Sequence, residues 1–131
     1  MSTDEKPPVG EPLIRTIAMP ADTNPSGDIF GGWLMAQMDL AGGSAAVRRA
    51  RGRVATVAVD SMSFLRPVKV GDEVSLFGNV VGVGKTSIRV AVEAWRRPPM
   101  GEMSRVTAAT FVFVAIGTDG RPRAVDADDD T

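Results

Sequence analysis

The chain has 131 residues, with 15 Lys and Arg against 16 Asp and Glu, and a formal net charge of −1 at pH 7. This length fits one domain with a hydrophobic core, and the near-neutral charge gives no basic field for nucleic acid. No apolar run approaches the ~20 residues of a membrane-spanning helix, so we expect a cytoplasmic protein without a membrane span. Two local basic clusters, at residues 48–53 and 95–99, are interpreted as solvated faces or, alternatively, as an anion site for a substrate phosphate.

The missing residue types narrow the possible chemistry. The sequence contains no histidine, no cysteine and no tyrosine. Disulfides and thiolate metal sites are therefore excluded, and so are the Ser–His–Asp triad, the Cys–His pair and imidazole metal ligands. If the protein is an enzyme, a carboxylate, a lysine or bound water has to transfer protons.

Both ends of the chain are predicted to lie outside the folded domain. Residues 1–12 are charged and contain prolines, so we interpret them as a disordered leader rather than a secretory signal. Residues 126–131 include the run DADDD and are interpreted as a disordered acidic tail. One domain then spans residues 13–125.

A long helix is predicted from about Phe30 to Ala50. Ser26 and Asp28 offer N-terminal caps, three arginines lie where cations favour a helix C-terminus, and Gly52 provides the stop. The segment is rich in Gly and Ala, and each interior Gly costs up to about 1 kcal/mol of helix propensity. That cost indicates that another element packs closely against the helix.

Strand patterns flank the helix. A first strand is predicted within residues 13–19. After the helix, β-branched and partly alternating residues predict strands within 54–70, 68–97 and 105–117. The segment 68–97 contains two strands joined by a turn near Gly82 and Gly84. The order of a strand, a long helix and about four strands favours an antiparallel sheet with one helix across it, an α+β fold. The last strand is apolar on both faces, which predicts a central position and self-association.

The segment GVGKTS at residues 82–87 is similar to the end of a phosphate-binding P-loop. The full pattern needs a glycine five residues before Gly84, where this chain has Asn79. The residues that follow have a strand pattern, whereas a P-loop leads into a helix. We therefore predict a β-turn, whose exposed amides and polar side chains can still contact a phosphorylated ligand.

The approach to the helix concentrates polar residues and glycines. Gly31 and Gly32 leave backbone amides open at the helix N-terminus, where they can bind an oxyanion or a polarised carbonyl. Asp39 follows two turns later on the face that begins at Gly32, so a substrate chain can lie between amides and carboxylate. On spacing alone, Asp39 is equally well an acid paired with an arginine. Asn24 precedes a proline and is also a typical turn former.

The string MPADTNPSGDIFGGWLMAQMD at 19–39, followed by GRVATVAVDSMSFLRPVKVGDEV at 52–74, resembles the YciA-type acyl-CoA thioesterases of the hotdog superfamily. The resemblance runs from about Leu13 to Val125. It implies a hotdog fold, with an antiparallel sheet wrapped around one long central helix. It also implies a homo-oligomer, a trimer of hotdog dimers with active sites between subunits.

The same resemblance assigns roles to particular residues. Asp39 matches the helix carboxylate that acts as general base or nucleophile. Asn24 matches the asparagine that orients the thioester or the water and faces Asp39 from the neighbouring subunit. The amides near Gly31 and Gly32 match the region that polarises the thioester carbonyl. Substrate-binding positions are matched by Arg66 and by the loop of Gly84, Lys85, Thr86 and Ser87.

We therefore expect hydrolysis of acyl-CoA to a free acid and coenzyme A, without a metal or an organic cofactor. Two alternatives stay open: a non-catalytic acyl-CoA-binding hotdog protein, and an enoyl-CoA hydratase. The hydratase group resembles an Asp–His mechanism, for which this chain lacks the histidine. Pocket depth is expected to depend on side chains such as Trp33, Met35, Met38 and Phe64.

Overall fold

The computed structural model describes residues 6–126, which form one antiparallel sheet and one long helix. The helix α1 spans Gly31–Ala50, and the five strands are β1 (Ile14–Ile17), β2 (Val54–Val59), β3 (Glu73–Val83), β4 (Ser87–Arg97) and β5 (Ser104–Ala115). The strand order is β1-β3-β4-β5-β2, and every neighbouring pair is antiparallel. This is the α+β arrangement predicted from the sequence, with the sheet curled around the helix.

Helix α1 packs on the sheet through small and apolar side chains. Its buried residues recur three or four positions apart, at Leu34, Met38, Ala41, Gly42, Ala46 and Ala50. At Gly42, a Cβ atom would lie 3.2 Å from side-chain atoms of Phe113 and Val92. The absence of a side chain therefore permits the close approach that the Gly-rich helix predicts.

The N-terminal end of α1 differs from the prediction. The N-cap residue is Phe30, and no side chain caps the helix. The Asp28 carboxylate instead pairs with Lys69 at 2.6 Å, and the Ser26 amide donates to the side chain of Asn24. Neither predicted cap is used, because both residues stabilise the loop before the helix.

The C-terminal end of α1 also differs in detail. Arg51, not Gly52, takes the left-handed conformation, with φ of 58°, and its amide donates to the Val47 carbonyl. The Arg123 guanidinium donates to the Ala50 carbonyl at 2.8 Å. At Gly52 a Cβ atom would lie 2.7 Å from this guanidinium. Glycine is therefore needed for the space occupied by Arg123, not for the turn.

The segment after β5 returns to the helix C-terminus. Asp126 pairs with Arg49 at 2.8 Å, and this hydrogen-bonded cation holds the pKa of the Asp126 carboxyl below its usual value. Residues 1–5 of the predicted leader and 127–131 of the predicted tail lie outside the described residues. Residues 6–12 form neither helix nor strand. The domain boundaries stay a prediction.

The strands after the helix follow the predicted order with one difference in length. β2 ends at Val59, and residues 60–65 continue irregularly beside β5, through the Asp60 amide to the Thr110 carbonyl and the Leu65 amide to the Val106 carbonyl. β5 lies between β4 and β2, which confirms its predicted central position. β2 itself is an edge strand.

Candidate active site

Asp39 lies at one end of a groove between helix α1 and edge strand β2. The groove has a volume of about 660 Å³ and follows the helix from Asp39 to Arg48. Its sheet side is lined by Val54, Thr56 and Phe113. The carboxylate in the middle of the helix is therefore directed into a space that is large enough for part of a ligand.

The Asp39 carboxylate is held by one hydrogen bond from the sheet. Thr56 Oγ1 donates to Asp39 Oδ1 at 2.6 Å. No Lys or Arg within residues 6–126 forms an ion pair with Asp39. The arginine pairing that the sequence left open is not observed, and Oδ2 is left to act on a ligand or a water molecule.

Asn24 lies in a tight loop that ends at the start of α1. Its side-chain Oδ1 accepts hydrogen bonds from the amides of Ser26 at 2.9 Å and Asp28 at 3.1 Å. The acceptor oxygen is thus used by the loop, and the side-chain NH₂ group provides two donors for a ligand. Asn24 is therefore the predicted turn former, and it also has the donors that the predicted catalytic role requires.

Gly31 and Gly32 provide backbone amides at the positive end of the helix dipole. The first amides of α1 that donate to a preceding carbonyl are those of Trp33 and Leu34, both to Phe30. The amides of Gly31 and Gly32 precede these bonds and both residues are exposed, so they can bind a carbonyl oxygen.

One chain does not bring the carboxylate and the amides together. Asp39 follows Gly31 by eight residues, which is about 12 Å along a helix axis. Hydrogen bonds to one reacting carbonyl span only about 3 Å. Within one chain, a single carbonyl therefore cannot contact both Asp39 and the amides at the start of α1. The prediction that one groove between Gly32 and Asp39 holds the reacting carbonyl is wrong for a single chain.

Arg66 lies near the helix N-terminus. Its Nη1 donates to the Arg105 carbonyl, and its side chain lines a cavity of about 220 Å³ together with Gly31 and Phe64. Arg66 therefore lies beside the start of α1, and its role in substrate binding stays a prediction. Met38, in contrast, is fully buried in the core and does not contribute to the depth of this cavity.

The loop of Gly84, Lys85, Thr86 and Ser87 forms the tight turn between β3 and β4, as predicted. The Gly84 amide donates to the Ser87 carbonyl at 2.8 Å, while the carbonyls of Lys85 and Thr86 accept from Val125 and Ala115. Ala115 is paired with Val54 of β2. The turn therefore lies toward the Arg48 end of the groove, away from the helix N-terminus.

Thr56 is the site residue that sequence reasoning missed. It is the only polar residue in the strand VATVAV. A lone hydroxyl in an apolar strand was the available signal, but only the fold shows that it faces Asp39.

Residues 6–126 contain no group of three or more acidic side chains placed to hold a metal ion. Over the same part of the chain, no helix has the length and apolar character needed to cross a membrane.

Comparison with known sequences identifies the family. The sequence matches the thioesterase superfamily over residues 26–103. It is 50% identical over 127 residues to the acyl-CoA thioester hydrolase YciA of Salmonella typhimurium, and the match covers 94% of this chain and 96% of that protein.

Solved structures agree with this match. A hexameric thioesterase from Yersinia pestis has 48% identity and a TM-score of 0.86, and the match covers 92% of this chain and 99% of that chain. A hexameric hotdog fold thioesterase of Campylobacter jejuni has 42% identity and a TM-score of 0.82, over 88% of this chain and 90% of that chain.

An acyl-CoA hydrolase from Staphylococcus aureus is a more distant neighbour, with 28% identity. Two of its structures are alanine variants, one of an aspartate and one of an asparagine, with TM-scores of 0.77 and 0.79. Each match covers 85% of this chain, and 69% and 67% of the respective variants. On the family match and the close relatives together, this chain belongs to the thioesterase superfamily and, within it, to the YciA family with the hotdog fold.

Proposed function

We propose that this protein hydrolyses acyl-CoA thioesters to a free carboxylic acid and coenzyme A, in sites built from two copies of the chain. The observation that carries the proposal is the Asp39 carboxylate, held by Thr56 in an open groove and about 12 Å from the amides of its own helix N-terminus. A second copy has to supply the carbonyl donors.

The residues supply complementary parts of the reaction. The amides of Gly31 and Gly32 and the side-chain NH₂ of Asn24 donate to the thioester carbonyl oxygen, on which negative charge develops. Asp39 either takes a proton from a water molecule that attacks the carbonyl carbon, or attacks that carbon itself and forms a mixed anhydride with the acyl group. In both cases the carbon–sulfur bond breaks and coenzyme A leaves as a thiolate. In the first case protonated Asp39 gives its proton to the thiolate. In the second case water hydrolyses the anhydride, which releases the free acid and restores the Asp39 carboxylate, and one proton of that water goes to the thiolate. These steps use no metal and no organic cofactor.

Residue spacing supports the pairing of Asn24 with Asp39. The two positions substituted in the S. aureus hydrolase are an asparagine and an aspartate 15 residues apart. Asn24 and Asp39 are also 15 residues apart. The shared spacing supports Asn24 as a donor to the carbonyl and Asp39 as the base or nucleophile.

The open edge of β2 supports assembly through this strand. Val57 is 57% exposed on the edge, and Leu40 and Val47 are exposed on the adjacent helix. An unpaired strand edge with apolar side chains is a template for pairing with a second chain. We propose that β2 pairs with β2 of a second copy, and that three such dimers form a hexamer like those of the Y. pestis and C. jejuni relatives.

Substrate contacts are proposed at two places. Arg66 lies beside the carbonyl donors and would contact the thioester end of the substrate. Lys85, with its neighbours Gly84, Thr86 and Ser87, lies toward the basic end of the helix, where its charge would interact favourably with the phosphates of coenzyme A. A cytoplasmic location stays a prediction.

A thiol-release assay over a series of acyl-CoAs tests the function. The wild type is expected to release coenzyme A, before and after treatment with a chelator. Asp39→Asn is expected to lose about 10²- to 10⁴-fold in rate, the usual contribution of a general base. Asp119→Asn is the matched control, because this acid lies in an exposed turn outside the groove.

The same assay separates the alternatives. Binding of acyl-CoA without release of thiol would identify a non-catalytic binding protein. Addition of water to an enoyl-CoA with the thioester left intact would identify a hydratase. Either result contradicts the proposed hydrolysis.

A further inference from the structure

We propose that Phe64 sets the length of the acyl chain that the protein accepts, by closing an apolar cavity that begins at Gly31. This inference rests on the proposed function. It concerns a different part of the site from Asp39 and Thr56, and it predicts a different observable, namely the preference among substrates.

The cavity lies between the start of α1 and the segment that follows β2. Its volume is about 220 Å³. Four of its lining side chains are apolar and buried in the single chain, namely Ile29, Leu34, Val68 and Val106. Arg66 is the only charged residue that lines it. The lining therefore suits hydrocarbon and offers little to a polar group.

The position of Gly31 decides which part of the substrate enters. Gly31 lines the cavity, and its amide is one of the proposed donors to the thioester carbonyl. A carbonyl bound there has the acyl chain on one side and the sulfur with the pantetheine arm on the other. The amides of that arm would lose their hydrogen bonds inside an apolar cavity, which is unfavourable. The occupant is therefore the acyl chain.

Phe64 forms the outer wall of this cavity. Two of its ring atoms lie 3.5 and 3.6 Å from the place that a Cβ atom on Gly31 would occupy, so the ring lies over this glycine. The neighbouring Leu65 amide donates to the Val106 carbonyl at 2.7 Å and fixes the segment to β5. The ring is 47% exposed, so it covers the cavity from the solvent side without belonging to the core.

The volume gives an approximate limit on chain length. An apolar cavity of about 150 Å³ accommodates benzene, so a cavity of this size has room for roughly six to nine carbon atoms. Longer acyl chains have to displace the Phe64 ring. Shorter chains leave part of the cavity unfilled.

The test compares kcat/KM for straight-chain acyl-CoAs of about 4 to 16 carbons in the wild type, Phe64→Ala and Phe64→Trp. The wild type is expected to prefer chains of about six to nine carbons. Phe64→Ala should raise the ratio of long-chain to medium-chain activity by about tenfold or more, and Phe64→Trp should lower it. Leu65→Ala is the control, since this exposed neighbour does not line the cavity and should leave the ratio unchanged.

A binding measurement makes the test independent of turnover. Calorimetric titration of the same acyl-CoAs into Asp39→Asn, with and without Phe64→Ala, should show the same shift in chain-length preference. If the wild type releases no thiol from any acyl-CoA, the proposed function fails, while these affinities still test the cavity. Equal chain-length profiles with Phe64 and with alanine, in both turnover and binding, would overturn the role of Phe64.

Discussion

The hydroxyl of Thr56 donates a hydrogen bond of 2.6 Å to the carboxylate of Asp39 and so joins edge strand β2 to the middle of helix α1. Thr56 is held in place by the sheet, opposite Phe113 of β5. The bond therefore holds the carboxylate of the proposed base at a fixed position relative to the sheet. It fixes one carboxylate oxygen of a side chain that lines the groove.

Thr56→Val tests this positioning role. The substitution keeps the shape of the side chain and removes the donor, and a hydrogen bond to a charged group contributes about 1.5–3 kcal/mol. We expect kcat to fall about 10- to 100-fold with little change in KM. Thr56→Ser restores the donor and should recover activity to within a few-fold. A valine variant with wild-type kcat would contradict the assignment.

Asn24→Asp separates the two uses of the asparagine side chain. A carboxylate keeps the oxygen that accepts from the amides of Ser26 and Asp28, but lacks the NH₂ donors. We expect kcat to fall about 10²- to 10³-fold, as for the loss of one oxyanion donor, while the melting temperature stays close to that of the wild type. Asn24→Ala should lose the donor and the loop contacts together. Full activity of the aspartate variant would show that Asn24 acts only in the turn.

Val57→Lys tests the open edge of β2. A lysine on an edge strand opposes pairing with another chain because its charge would be buried in the contact. We expect a smaller assembly by light scattering and a parallel loss of thiol release. Val9→Lys, on a fully exposed residue before β1, is the control and should change neither. Unchanged mass and activity of the Val57 variant would place the self-contact elsewhere.

Gly42 and Gly43 make a matched pair for the packing of α1. A Cβ atom at Gly42 would lie 3.2 Å from Val92 and Phe113, whereas at Gly43 its nearest neighbour lies at 3.6 Å, an ordinary contact. Alanine favours a helix over glycine by about 1 kcal/mol at either position. Overpacking costs about 1–3 kcal/mol and applies only at Gly42. In denaturant unfolding at one protein concentration, Gly42→Ala should therefore be less stable than Gly43→Ala; the reverse order would contradict the close helix–sheet contact.

The sequence predicted the elements and their order, because these depend on local patterns. The Gly- and Ala-rich helix, the turn at Gly84 and the doubly apolar strand β5 are all confirmed. The bounds of α1 agree with the predicted range from about Phe30 to Ala50, but its predicted caps were wrong because capping depends on distant partners. Asp28 pairs with Lys69 instead of capping the helix, and Arg123 occupies the space beside Gly52.

The candidate site was predictable only in part for the same reason. Asp39 and Asn24 belong to one continuous motif and were both singled out from the sequence. Thr56 lies 17 residues beyond Asp39, and its contact depends on the register of β2 against α1. The separation of Asp39 from Gly31 follows from the helical rise. It argues against the groove within one chain that spacing predicted, and it supports the site between subunits that the family resemblance implied.

The sharing of the site between chains is tested most directly by mixing two inactive variants. Asp39→Asn and Asn24→Asp are refolded together at equal concentration, and thiol release is compared with that of each variant alone. Mixed dimers should contain one site with both native residues, so activity should recover to about one quarter of the wild-type value, since half the dimers are mixed and half their sites are intact. Activity no higher than the average of the two separate variants would contradict a site built from two copies.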